Sequence, residues 1–148
     1  MSDIVNFRSV EYLEFAVKDL KASSQLYESM GFTCLGRRTE PTRRSKLYGQ
    51  GDIRFVLTAS SADADPVTRF VQAHGDGVID IALGIDDPAD SLATAKRRGA
   101  QVIGAVETLT GDGDATARRG AIVAFGDVRH SFLRFEGKTR IEDLFPEE

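Results

Sequence analysis

The sequence predicts an α+β fold made of two βαβββ modules, each a curved mixed sheet with a helix on one face. Three observations predict it. Short runs of alternating apolar and polar residues recur along the chain, as half-buried strands require. Two helical stretches each open on an aspartate and close on a glycine, Asp19 to Gly31 and Asp87 to Gly99. The chain also repeats itself at an offset of 68, which lays Tyr12 on Asp80, Val17 on Ile85, Asp19 on Asp87, Gly31 on Gly99 and Leu35 on Ile103 without a gap.

The elements follow in order. In SVEYLEFAV, residues 9–17, Leu13, Phe15 and Val17 alternate with Tyr12, Glu14 and Ala16, which predicts a strand. A helix over roughly 20–30 carries Leu20, Ser24, Tyr27 and Met30 on one stripe. Strand 32–39 is broken by Glu40-Pro41. A strand around 45–50 turns at Gln50-Gly51-Asp52 into strand 53–59, as a hairpin. After the polar stretch SSADAD, Asp65 as N-cap and Pro66 at the first helical position start a connecting helix, 65–74. The pattern then restarts with strand 78–85 and a helix from Pro88 that ends in Lys96, Arg97 and Arg98, cations suited to the negative end of the helix dipole. Strands at 101–109, 119–125 and 130–136 complete the second copy. The expected division is one domain over 1–148, with module 1 at about 9–59, module 2 at about 77–137 and a tail, 138–148. In that tail Ile141, Leu144 and Phe145 are spaced to bury, as a docking tail or a linker to a further domain.

Composition narrows the function. The 148 residues are 41% hydrophobic, enough for a core, and the net charge of −4 leaves no electrostatic footprint for nucleic acid. No apolar run reaches the ~18–20 residues of a membrane span. The start lacks the basic and apolar regions of a secretory signal. The single cysteine, Cys34, suits a reducing compartment, so the expectation is cytoplasmic.

Asp80 is the residue that asks for an explanation, because it puts a charge inside the apolar strand 78–85. If Leu13, Phe15 and Val17, and likewise Ile81, Leu83 and Ile85, face the helices, then Tyr12, Glu14 and Asp80 face the opposite side. There the two sheets would line a cup. The same logic, applied to the last strand, places Phe132 and Arg134 in the cup, and His130 shares their parity. Phe55 completes the expected lining. The expectation for Asp80 is an ion pair with Arg134, joined by Glu14.

YLEFAVKD at 12–19, GQGDIRFVLTAS at 49–60 and HGDGVIDIALGIDD at 74–87 resemble the N-terminal domain of 4-hydroxyphenylpyruvate dioxygenase and hydroxymandelate synthase, within the vicinal oxygen chelate superfamily. The similarity runs over about residues 8–137. It implies a whole enzyme in which Fe(II) is held by two His and one Glu of a C-terminal domain, acting on a 2-keto acid and O₂ in tyrosine catabolism. The positions matching those ligands here carry Tyr12, Asp80 and Arg134, the pattern of the metal-free half. The resemblance therefore implies no cofactor and no catalytic residue in this chain, and no activity by the chain alone.

The residues themselves agree on metal. A facial triad needs two imidazoles and a carboxylate, and the chain has only His74, in a turn, and His130. No G-x-S-x-G nucleophile motif occurs, and GDGDAT at 111–116 reads as a hairpin loop, not a phosphate loop. The basic cluster Arg37, Arg38, Arg43, Arg44 and Lys46 reads as a solvated face, with an anionic-ligand or subunit contact as the sharper alternative. Three functions follow: the metal-free half of the dioxygenase or a free-standing relative of it; a dimeric protein binding a small aromatic, acidic or 2-keto acid molecule; and a glyoxalase-type metalloenzyme. The expected partner is a second copy or a C-terminal catalytic domain.

Overall fold

The computed structural model describes residues 4–148. The chain divides into two compact units: Tyr12–Ile79 with Phe145–Glu148, and the residues up to Glu11 with Asp80–Leu144. The division falls inside two strands, the first strand of each predicted module.

In the first unit β1 (Ser9–Ala16), α1 (Leu20–Ser29), β2 (Thr33–Thr39), β3 (Arg43–Gln50) and β4 (Ile53–Ser60) follow one another, and α2 (Pro66–His74) closes the series. The strands lie in the order β2-β3-β4-β1, antiparallel except for the parallel pair β1–β4. Asp19 caps α1 by accepting the Ala22 N–H, and Asp65 caps α2 by accepting that of Val67, as their positions before the apolar stripes predict. The β3–β4 hairpin turns at Gly51, whose φ of 55° is open to glycine at no steric cost. Along α1 the predicted stripe holds at Ser24, which is buried, and frays at Met30, which is exposed.

In the second unit β5 (Gly77–Gly84) pairs through Asp80–Gly84 with β8 (Val128–Phe135) in parallel. β7 (Thr116–Phe125) and β6 (Glu107–Thr110) add antiparallel strands, in the order β5-β8-β7-β6. α3 (Pro88–Arg97) starts at the Asp87 cap and packs Leu92 and Ala95 against Ile85 and Phe132. The predicted strand 101–109 is much shorter than expected. Val102 makes a lone bridge to Ile122, Gly104 turns at φ 64°, and pairing resumes only at Glu107. Val102 and Val106 pack against the α3 cluster, so their apolar signal serves the core without a continuous ladder.

The tail is structured. Ile141–Leu144 forms a 3₁₀ turn with Ile141 and Leu144 buried. Phe145 is buried within the first unit, where Arg37 and Glu147 bridge β2 to the tail. No helix among the described residues is long and apolar enough to cross a membrane.

Candidate functional site

Asp80 is fully buried and fully engaged. Its Oδ1 accepts the Ser131 N–H at 3.0 Å, and its Oδ2 accepts Arg129 Nε at 3.0 Å and the Ser131 hydroxyl. The expected partner, Arg134, is not there. In the parallel β5–β8 pair Asp80 lies opposite Arg129, so Arg129, Ser131 and Leu133 share its face and Arg134 has the other parity. Arg134 Nη1 lies 3.8 Å from Asp86, with both side chains about half exposed. Asp86 is gripped mainly by Arg8, through bonds of 2.7 and 2.5 Å, and this holds its carboxyl below the usual range.

The rest of β8 follows the same correction. Phe132 belongs to the core under α3 and meets Phe7 edge-on at 5.5 Å. His130 pairs with Ile122 across β7 and has Nδ1 3.3 Å from the Ile81 carbonyl oxygen. His130, Phe132 and Arg134 thus lie on the helix-packed face and do not share a face with Asp80. The physical reason is burial on both sides: Ser131, Phe132 and Leu133 are all buried, so the alternation carries no phase. A usable signal was present, since the small polar Ser131 between Arg129 and Leu133 marks the parity that can satisfy a buried acid.

In the first unit Glu14 is buried and accepts the Thr58 hydroxyl at 2.7 Å, and Thr58 in turn meets Ser45 at 2.7 Å. Tyr12 is buried on the parity of Glu14, away from α1. Phe55 is not with them. It lies opposite Leu13 and packs with Phe15 at 5.1 Å, Phe32 at 5.0 Å and Tyr27 of α1 at 5.6 Å, so it belongs to the helix side. Tyr48 ends the same side, donating its hydroxyl to Glu28 at 2.9 Å; burial pushes that phenol up to about 12.

The basic cluster of β2 and β3 lines an open cavity of about 780 Å³ together with Lys21 of α1 and Glu147 of the tail. Arg43 is committed to Asp65, whose carboxyl its guanidinium holds down at about 2. Arg38 stands 3.9 Å from Glu40.

The donor set does not fit the Fe(II) that the superfamily implies. At the two first-strand positions stand Tyr12 and Asp80, and the Asp80 oxygens are taken by one guanidinium and two donors of Ser131. His74 packs on Phe70 and His130 is near a backbone carbonyl. Among the described residues no group of three His, Cys, Asp or Glu is placed to hold a metal ion.

The paired modules define a vicinal oxygen chelate fold. The structure aligns with a triple mutant of 4-hydroxymandelate synthase from Streptomyces coelicolor at TM-score 0.75 and 28% identity, covering 90% of this chain and 44% of that one. It also aligns with methylmalonyl-CoA epimerase from Mycobacterium tuberculosis at TM-score 0.71 and 14% identity, covering 90% and 91%, a likeness of fold alone. Residues 3–144 match the family described as hydroxyphenylpyruvate dioxygenase, HPPD, N-terminal, and the chain belongs to that family. A curated relative, 4-hydroxyphenylpyruvate dioxygenase of Coccidioides posadasii, is 26% identical over 92% of this chain. The chain spans 38% of that relative's length.

Proposed function

We propose that this chain acts as the metal-free half of a 4-hydroxyphenylpyruvate dioxygenase-like Fe(II)-dependent enzyme of tyrosine catabolism, or as a free-standing relative of that half. The observation that carries the reading is the occupation of Asp80. A family member that used this strand position for metal would leave a ligand atom facing outward, whereas here Arg129 and Ser131 consume the carboxylate. The family match over residues 3–144 supplies the context. In this role the chain contributes folding and contact surface to a catalytic domain or to a second copy in the cytoplasm, and no group that touches the reacting atoms. The dimeric binding protein gains no support from its expected cup, because Phe55 and Phe132 are packed against helices.

Oxygen uptake with Fe(II), ascorbate and 4-hydroxyphenylpyruvate tests the reading. The chain alone is expected to give no turnover above an iron blank. Added to a separately expressed C-terminal half of a dioxygenase, it is expected to form a complex on size exclusion. Turnover by the chain alone overturns the proposal.

A further inference from the structure

The cavity over β2 and β3 gathers the basic cluster of the first unit. Six cations line it, against three carboxylates, in a chain whose net charge is −4. Arg43 and Arg38 have acidic neighbours in Asp65 and Glu40. Lys21, Arg37, Arg44 and Lys46 have none within ion-pair distance among the described residues. Arg37 lies directly opposite Lys46 in the β2–β3 ladder, an arrangement in which like charges repel. Arg44 follows on the same face two residues along β3, about 6.7 Å away by strand geometry. Glu147, the nearby tail acid, accepts from the Thr39 N–H and hydroxyl, and no ion pair joins it to these four cations among the described residues. Burial does not force these charges together: Arg37 and Arg44 are exposed. A sheet that keeps three cations abreast, with a fourth from α1 lining the same hollow, has the form of an oxyanion grip.

We propose that this cavity binds a small molecule with two anionic groups, a diphosphate or a dicarboxylate, held by Arg37, Arg44, Lys46 and Lys21. The separation along β3 suits two anionic groups spaced by a short bridge. The guanidinium forks of Arg37 and Arg44 suit oxyanions with two free oxygens, and Lys46 supplies a point charge between them. The site shares no residue with the Asp80 group and does not depend on the proposed dioxygenase role.

Isothermal titration of the whole chain with pyrophosphate and with succinate, at constant ionic strength, tests this. One saturable site with Kd below about 1 mM is expected for at least one of them, and the tighter of the two identifies the oxyanion. Arg44→Gln and Lys46→Gln are each expected to weaken binding about ten-fold or more, as loss of a charge-assisted bond requires. Lys46→Arg is expected to retain it. Without ligand, Lys46→Gln is expected to melt no lower than the parent, because it removes a repulsion; a purely structural lysine would lower the melting temperature. Absence of saturable binding to both anions, or binding that neither glutamine variant weakens, overturns the proposal.

Discussion

Arg43 holds Asp65 with a two-pronged grip, Nε to Oδ2 at 2.8 Å and Nη2 to Oδ1 at 2.7 Å. The same carboxylate caps α2 through the Val67 N–H and receives the Ser60 hydroxyl, both at 2.9 Å. One side chain therefore ties β3, the end of β4 and the start of α2 together.

This tie predicts an acid-labile fold. Hydrogen bonding from Arg43, chiefly, lowers the Asp65 carboxyl from 3.8 to about 2. A depressed folded-state value means that the stability is fully present above the unfolded value and is lost as the pH falls through the folded one. About 2 kcal/mol should therefore disappear between about pH 4 and pH 2. Urea unfolding across that range should show the loss, and Asp65→Asn should remove this part of the slope while lowering stability at neutral pH. An unchanged slope in Asp65→Asn would place the acid sensitivity elsewhere.

Asp80 predicts a different sensitivity. Asp80→Ala leaves Arg129 and two donors of Ser131 facing an empty place in the interior. Removing one member of a buried pair costs about 3–5 kcal/mol. Asp80→Asn keeps the shape and an acceptor oxygen, so its cost should be smaller. Arg134→Ala should change little, about 0.5 kcal/mol or less, as for other exposed charges. Equilibrium denaturation of the three variants ranks them, and a large effect of Arg134→Ala would contradict the pairing with Arg129.

Which parts of this molecule were legible follows from where each signal comes from. The helix starts at Asp19, Asp65 and Asp87 were readable because capping is local chemistry within three residues. The repeat was readable because both modules need the same turn and cap positions. Asp80 stood out as a charge in an apolar strand. Its partner did not, because pairing is set by the phase of β8, and SFLRF puts large apolar residues on both faces, with only the small Ser131 to mark the parity. Phe55 was misplaced for the same reason, since IRFVLTA offers large residues to both sides of β4. The Arg43–Asp65 grip spans 22 residues and left no local trace.

The corrected phase of β8 makes its own prediction. Phe132 sits in the core with Ile85, Leu92 and Ala95, at 1% exposure. Phe132→Ala should cost about 3–5 kcal/mol, the range for truncating a buried aromatic. Phe132→Leu should recover much of that, as a partial refilling of the same volume. Calorimetric melting temperatures would show the order. If Phe132 lined an open surface instead, both variants would melt near the parent.

The last prediction concerns the tail. Gly36 is not in the left-handed region, so its need for glycine is steric. A Cβ there would lie 2.1 Å from the Phe145 carbonyl oxygen, a backbone atom that cannot rotate away. The tail is held beside it by Arg37 N–H to Glu147 O at 2.7 Å and by the return bond from Glu147 N–H to Arg37 O at 3.1 Å. The Glu147 carboxylate adds the two bonds to Thr39. Gly36→Ala should therefore push the tail off β2, at about 1–3 kcal/mol for an overpacked contact. Hydrogen exchange should quicken at the Arg37 and Glu147 amides, which the tail bridge protects. Glu147→Ala should act more gently, since it keeps the backbone bridge and exposes chiefly the Thr39 amide. Unaltered protection at Arg37 in Gly36→Ala would mean that the strand edge accommodates a methyl group without releasing Phe145.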